Sequence, residues 1–277
     1  MTVTADTNQH YDLDPEIFGQ FLDPLRKYSS ALYENDSDTL ELAQRNKLRF
    51  VARRLGIQGG EQLLDIGCGW GSLILFMAQE YGCEALGVSP APRQHEYIAA
   101  QAEARGVARQ VQTRVGHFEE MDLPAGSRDA VSMLGSIVHM PDLDAVFRRA
   151  RTVLRRGGTL YVSESCFRNA AARRAFDERA GTEFVRSDIF GWGDLRPLSD
   201  LITAAEDAGF SITSVDDLTD QYRRTIEDWI TNVDAAAAEI DERQPGMAVK
   251  LRHYLEVANA GWGYTTKHYA LGCRKAR

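Results

Sequence analysis

Residues 63–73 read LLDIGCGWGSL, an apolar run that ends on Asp65–Ile66 and enters three glycines within five positions, Gly67, Gly69 and Gly71. This pattern predicts a buried parallel strand that stops at a tight turn, with a helix starting just beneath it. Glycine carries no Cβ, so a ligand can approach the backbone of such a turn closely. The rest of the chain is read around a ligand bound there.

Outward from this turn, strands and helices alternate. Strands are expected near 61–66, 83–88, 110–115, 129–134 and 159–164, with helices near 71–82, 92–105 and 142–155. A βαβ series of this kind predicts an α/β fold with helices on both faces of a mostly parallel sheet. Two amphipathic helices precede it. One is expected over 14–28, with Asp14 as N-cap and Pro15 at the first position. The second covers 38–56, capped by Asp38 and stopped by Gly56. After strand five come an Arg-rich stretch and the aromatic segment FGWGD (190–194). A helix over 198–208, a strand near 211–217, a helical insertion over about 220–260 and a last strand near 264–274 complete the chain. A strand returning after a helical insertion implies a cap over the carboxyl ends of the sheet, where open α/β sheets bind ligands.

The 277 residues carry a net charge of −8 and 44% hydrophobic residues, the balance of an ordinary globular protein. The acidic excess argues against general nucleic-acid binding. Arg53–Arg54, Arg148–Arg149, Arg155–Arg156, Arg173–Arg174 and Arg223–Arg224 read as solvated helix faces, any of which an anionic head group could recruit. No apolar run reaches the roughly 18 residues of a membrane span, and the N-terminus has no signal-peptide pattern, so a cytoplasmic protein is expected. Cys68, Cys83, Cys166 and Cys273 lack CxxC spacing and read as packing residues, with no metal site.

Glycine turns after a first strand serve dinucleotides, mononucleotides and S-adenosylmethionine alike. The spacing here does not match GxGxxG, and without a following Gly-Lys-Ser/Thr it is not a P-loop. Plain tight packing is the bland reading. The assembled residues resemble the class I S-adenosylmethionine-dependent methyltransferases, whose first motif is an acidic residue followed by GxGxG. The wording LLDIGCGWGSL is similar to that of the cyclopropane fatty-acid synthase branch. So are HYDLDPEIFGQFLDPLRKYSSALYE (10–34) and the helix AQRNKLRFVARRLG (43–56).

The resemblance implies a Rossmann-like, mostly parallel seven-stranded sheet in a single methyltransferase domain (1–277). Residues 1–56 would close the cofactor site, 57–164 form its core, and 165–197 and 219–262 form substrate-cap insertions. S-adenosylmethionine is the implied cofactor. Gly67 and Gly69 would admit its methionine moiety, Asp65 would order the turn and reach its amino group, and Tyr28 and Ser29 would close over it. Ser89 and Gln94 would meet the ribose or adenine, which His117 and Phe118 would cup; Phe118 reads equally well as core.

Strand four runs into MLGSIVHMPDLDAVF (133–147), a departure from the cyclopropane synthases. They carry Glu-His where this chain has Val138–His139, and their Glu helps to hold a bicarbonate base. VHMPD is closer to natural-product O-methyltransferases and ubiquinone-type C-methyltransferases. His139, at a strand end and with an imidazole near neutrality, is one candidate base; a helix-entry His bonding local backbone is the competing reading. Glu164, ending strand five, is the second, on the expectation that it faces the same crevice; an ion pair with a nearby Arg is its competing reading. The cap contributes Phe190, Trp192, Tyr222, Trp229, Tyr254, Trp262 and Tyr264, aromatic faces that suit a cation and also make ordinary core. Trp192, Tyr222 and Tyr254 are the candidates for substrate contact, and Tyr254 falls where the cyclopropane family has a functional tyrosine.

The expected reaction is methylation of an alkene carbon in a small apolar metabolite, a lipid or isoprenoid such as a prenyl diphosphate, with loss of a proton from the resulting cation. O- or N-methylation of a natural product, or a cyclase or cofactor-binding protein without methyl transfer, are the other readings. The expected partner is a small apolar acceptor, with no nucleic acid, no stable membrane insertion and room for a homo-oligomer.

Overall fold

The computed structural model describes residues 15–179 and 193–276. Its strands are β1 (Gln62–Ile66), β2 (Glu84–Ser89), β3 (Val111–Val115), β4 (Arg128–Leu134), β5 (Leu154–Phe167), β6 (Phe210–Asp217) and β7 (Thr266–Lys275). They form one sheet in the order β3-β2-β1-β4-β5-β7-β6. The first five run parallel, and β7 is antiparallel to both of its neighbours. The predicted sheet is thus present. Strand β5 is longer than expected: it begins at Leu154, ahead of the Arg155–Gly158 stretch, with a register break against β4 between Arg128 and Ala130.

Successive strand residues point to opposite faces, and both faces are covered, so apolar residues of the central strands are buried on both sides. Leu63, Ala85, Ala130, Tyr161 and Ala270 pack with α2 (Leu40–Leu55), α3 (Ser72–Tyr81) and α4 (Pro92–Ala104). Leu64, Leu86, Val131, Val162 and Leu271 pack on the other face with α5 (Leu143–Val153) and α7 (Leu198–Asp207). A short α6 (Ala170–Asp177) follows β5.

A third cluster forms the cap. Phe18 and Phe21 of α1 (Pro15–Phe21) pack with Trp229 of α8 (Thr219–Ala235), Ile240 of α9 (Ala237–Arg243) and Leu251 and Leu255 of α10 (Met247–Ala260). Hydrogen bonds tie the N-terminal segment to α8. The Ala31 N–H donates to Thr225 Oγ1 at 2.9 Å, the Tyr33 hydroxyl to Asp228 at 2.6 Å, and Asn232 Nδ2 to the Phe21 carbonyl at 2.9 Å.

Three boundaries differ from expectation, each for a local reason. Helix α1 ends at Phe21 rather than 28, because Pro24 disfavours a helical Asp23 and the Asp23 carboxylate takes the Leu25 and Lys27 N–H groups. The N-cap of α2 is Thr39, whose Oγ1 accepts from the Leu42 N–H. Asp38 instead accepts from the N–H groups of Glu34 and Asn35. The insertion is three helices, interrupted at Ala236 and at Pro245–Gly246, where Gly246 has φ 75°.

Candidate active site

A crevice opens at the carboxyl ends of β1, β2 and β4. Tyr28, Gly67, Gly69, Ser89, Gln94, His117, Phe118 and His139 line it, so eight of the residues singled out in the sequence converge there. Lys27, Trp70 and Ser136 line it as well.

The three glycines serve different purposes. All have positive φ, at 77°, 51° and 77°. A Cβ on Gly67 would lie 2.2 Å from Ser136 Cβ, and one on Gly71 would lie 2.5 Å from Ile98. Around Gly69 there is nothing within 4 Å. Gly67 therefore lets the turn after β4 close against β1, Gly71 seats α3 against α4, and Gly69 leaves space for a ligand. Ser136 completes the first contact by donating to the Ile66 carbonyl at 2.6 Å.

Beyond β2, the Ser89 hydroxyl donates to Gln94 Oε1 at 3.2 Å. His95, absent from the sequence reading, holds it: its Nε2 lies 3.0 Å from Ser89 Oγ and 2.9 Å from the Ser89 carbonyl. Phe118 is buried beneath the Arg149 guanidinium, 5.5 Å from the ring centre, and its edge also lines the crevice. Core and ligand contact coincide in this residue.

Asp65 and Ser29 are corrections. Neither lines the crevice. Asp65 is 1% exposed and accepts from Ser132 Oγ at 2.8 Å; burial pushes its pKa up, against the pull of Lys27. Ser29 points its hydroxyl at Lys47 Nζ, 3.1 Å away, while its carbonyl accepts from Gln44 Nε2 at 2.9 Å. Both act by shaping the segment around the crevice. Gln44 and Lys47, both on α2, clamp the segment around Lys27–Ser29 onto that helix. Their sequence signal was the AQRNK stretch, which puts two polar residues on the apolar face of an amphipathic helix.

On the cap side, Tyr28 joins the crevice to the cap aromatics. Its ring lies 5.0 Å from that of Trp229, and its hydroxyl is hydrogen-bonded to Tyr254, a half-buried residue whose pKa is raised by desolvation. Tyr222 sits 5.9 Å from Trp229, 5.0 Å from Trp262 and 4.7 Å from His268, measured between ring centres. Tyr222 and Tyr254 thus belong to one aromatic group reaching back to the crevice. His268 is 2% exposed, and burial drops its pKa to about 3, so it stays neutral. Its Nδ1 lies 3.4 Å from Ser165 Oγ. Trp192 falls outside the described residues.

Glu164 does not face the crevice. By strand parity it lies with Val162 and Cys166 on the α5–α7 face, beside Leu143 and Leu201. Its carboxylate accepts from the Val138 N–H at 3.2 Å and the Ser165 N–H at 2.8 Å. Burial raises its pKa to about 7. Glu164 thereby ties the turn that carries His139 to β5. His139 itself is exposed and lines the crevice with Met140.

The crevice suits S-adenosylmethionine: an open glycine cradle, a hydroxyl–amide pair after β2, and the Phe118 and Tyr28 rings. Fold and site together define a class I S-adenosylmethionine-dependent methyltransferase. The family model for mycolic acid cyclopropane synthetase matches residues 2–268, and the chain belongs to that family. Cyclopropane mycolic acid synthase 1 of Mycobacterium tuberculosis is 27% identical over 233 residues, covering 81% of this chain and 80% of that one. A probable fatty acid methyltransferase of Pseudomonas putida is 29% identical over 241 residues, 84% of this chain but 60% of its relative's length. In fold, the chain resembles the cyclopropane synthase MmaA2 from Mycobacterium tuberculosis at a TM-score of 0.89 and 24% identity, over 99% of both chains. No helix among the described residues is long and apolar enough to cross a membrane.

Proposed function

We propose that the protein methylates an alkene carbon of an apolar lipid-like acceptor and that the resulting cation loses a proton to form a new alkene. The observation that carries this reading is Val138. The resemblance places a bicarbonate-holding Glu at this position in the cyclopropane synthases. Here an apolar side chain packs against Phe167, Phe176 and Leu195, and its N–H is taken by Glu164. A base for removing a proton from the transferred methyl is therefore missing at that position.

When bound in the crevice, the cofactor would deliver an electrophilic methyl to the acceptor's alkene carbon, with the carbon–sulfur electron pair left on sulfur. The aromatic faces of Tyr28, Tyr222 and Trp229 suit the positive charge left on the acceptor, and burial keeps water from it. His139, on the crevice wall, takes the proton from a neighbouring chain carbon. Glu164 positions the turn that carries it. The names of the fatty acid and mycolic acid relatives support a lipid chain rather than an isoprenoid as the acceptor.

The test supplies trideuteromethyl cofactor and a monounsaturated lipid and reads the product by mass spectrometry. A product keeping all three deuterium atoms on carbon supports the proposal. Two retained atoms would mean that the proton left the transferred methyl, as in cyclopropanation, and would overturn it. The exposed imidazole of His139 on the crevice wall also suits deprotonation of a hydroxyl, and label on oxygen or nitrogen would favour that second reading. His139→Asn is expected to lower turnover by about 10²- to 10⁴-fold while S-adenosylhomocysteine affinity stays within a few-fold.

A further inference from the structure

The crevice wall contains a lysine that no carboxylate meets at hydrogen-bond distance among the described residues. Lys27 is 7% exposed and lines the crevice next to Tyr28. Its backbone is engaged, the N–H by Asp23 and the carbonyl by Gln44. Its ammonium makes no hydrogen bond or ion pair among the described residues. An ammonium largely shielded from water, with only the crevice open to it, gains from a partner there. Burial accordingly pulls its pKa down, while Asp65 and Asp23 pull it back up. A second buried cation, Lys47, lies close enough to repel it. The two aspartates offset two lysines, and Lys47 already donates to Ser29. The unspent donor is the Lys27 ammonium.

Its position narrows the group it can meet. Ser89, Gln94, His117 and Phe118 crowd the crevice beyond β2 and β3, the end that suits the adenosine. Lys27 stands at the opposite end, near Asp65 and Cys68 of the glycine turn. S-adenosylmethionine and S-adenosylhomocysteine each contain one anionic group, the carboxylate of the amino-acid tail. We propose that the Lys27 ammonium binds this carboxylate, with Asp65 as the counter-charge that keeps the lysine cationic. Asp65, held by Ser132 and kept off the crevice wall, can act on Lys27 without competing for space with the ligand. The inference holds whichever acceptor is methylated.

The experiment compares S-adenosylhomocysteine with S-adenosyl-3-thiopropylamine, which lacks that carboxylate and is otherwise the same, by titration calorimetry. Wild type is expected to bind the first about 10- to 100-fold more tightly, the range of a charge-assisted hydrogen bond. In Lys27→Met, S-adenosylhomocysteine affinity should fall to near that of the analogue, whose own affinity should change less than about threefold. Lys27→Arg should recover part of the preference. Equal losses for both ligands in Lys27→Met would assign the lysine a general structural role and overturn the proposal. So would wild-type protein that binds the two ligands alike, a comparison that needs no variant to fold.

Discussion

The crevice and the cap are built in opposite ways. On the cofactor side, the key positions come from short stretches at the ends of neighbouring strands: Gly67 and Gly69 after β1, Ser89 and Gln94 after β2, His117 and Phe118 after β3. On the cap side, Tyr28 meets Tyr222, Trp229, Tyr254, Trp262 and His268, which lie about two hundred residues further along the chain. The first depends on backbone shape, the second on the packing of large side chains. A backbone turn is set within a few residues, whereas an aromatic cluster exists only once the helices that carry it have docked.

This contrast can be broken by substitution. The largest effect is expected on the packed side. Trp229 is 1% exposed and touches Tyr28, Tyr222 and Phe21, so Trp229→Ala should cost about 3–5 kcal/mol in urea unfolding. A loss under 1 kcal/mol would mean that the cap does not rest on this ring. Next, Gly67→Ala brings a methyl into Ser136 at positive φ and should cost about 2–4 kcal/mol, combining overpacking and left-handed strain. Gly69→Ala meets no neighbour, so it should cost only about 1–2 kcal/mol of strain while weakening S-adenosylhomocysteine binding. If Gly69→Ala proves the more destabilising, the two glycines have been given each other's roles.

Counted per pH unit, the smallest effect is a slope. Glu164 releases its proton near pH 4.5 when unfolded and near 7 when folded. Between those values the folded chain keeps a proton that the unfolded chain has lost, so this residue makes stability fall as pH rises. Glu164→Gln should remove a contribution of up to ~1.4 kcal/mol per pH unit in that window. Wild type and variant with parallel stability–pH curves would contradict the buried, raised carboxyl described here.

Much of the fold was legible because periodicity and turn chemistry are local. All seven strands and most helices fall where apolar runs and glycines place them, and misplaced ends trace to particular residues, Pro24 and Thr39 among them. Crevice residues adjoining a strand end were legible too. Ser29 and Asp65 lie beside ligand-lining positions in sequence, yet their side chains turn inward to Lys47 and Ser132. Glu164 shows the same limit: β5 reaches Phe167, past the predicted end, and the parity of its residues turns the carboxyl to the α5–α7 face.

By itself the sequence determined that a glycine turn follows the first of several parallel strands, and its wording tied that turn to S-adenosylmethionine. That much rests on backbone conformation, which neighbouring residues dictate. The tertiary structure decided which side chains line the crevice. It turned Asp65 and Ser29 away, brought Lys27 to the crevice, gathered His268 with the cap aromatics and took Glu164 out of the crevice. Those outcomes depend on which face of a strand or helix another element covers, and that is settled by long-range packing.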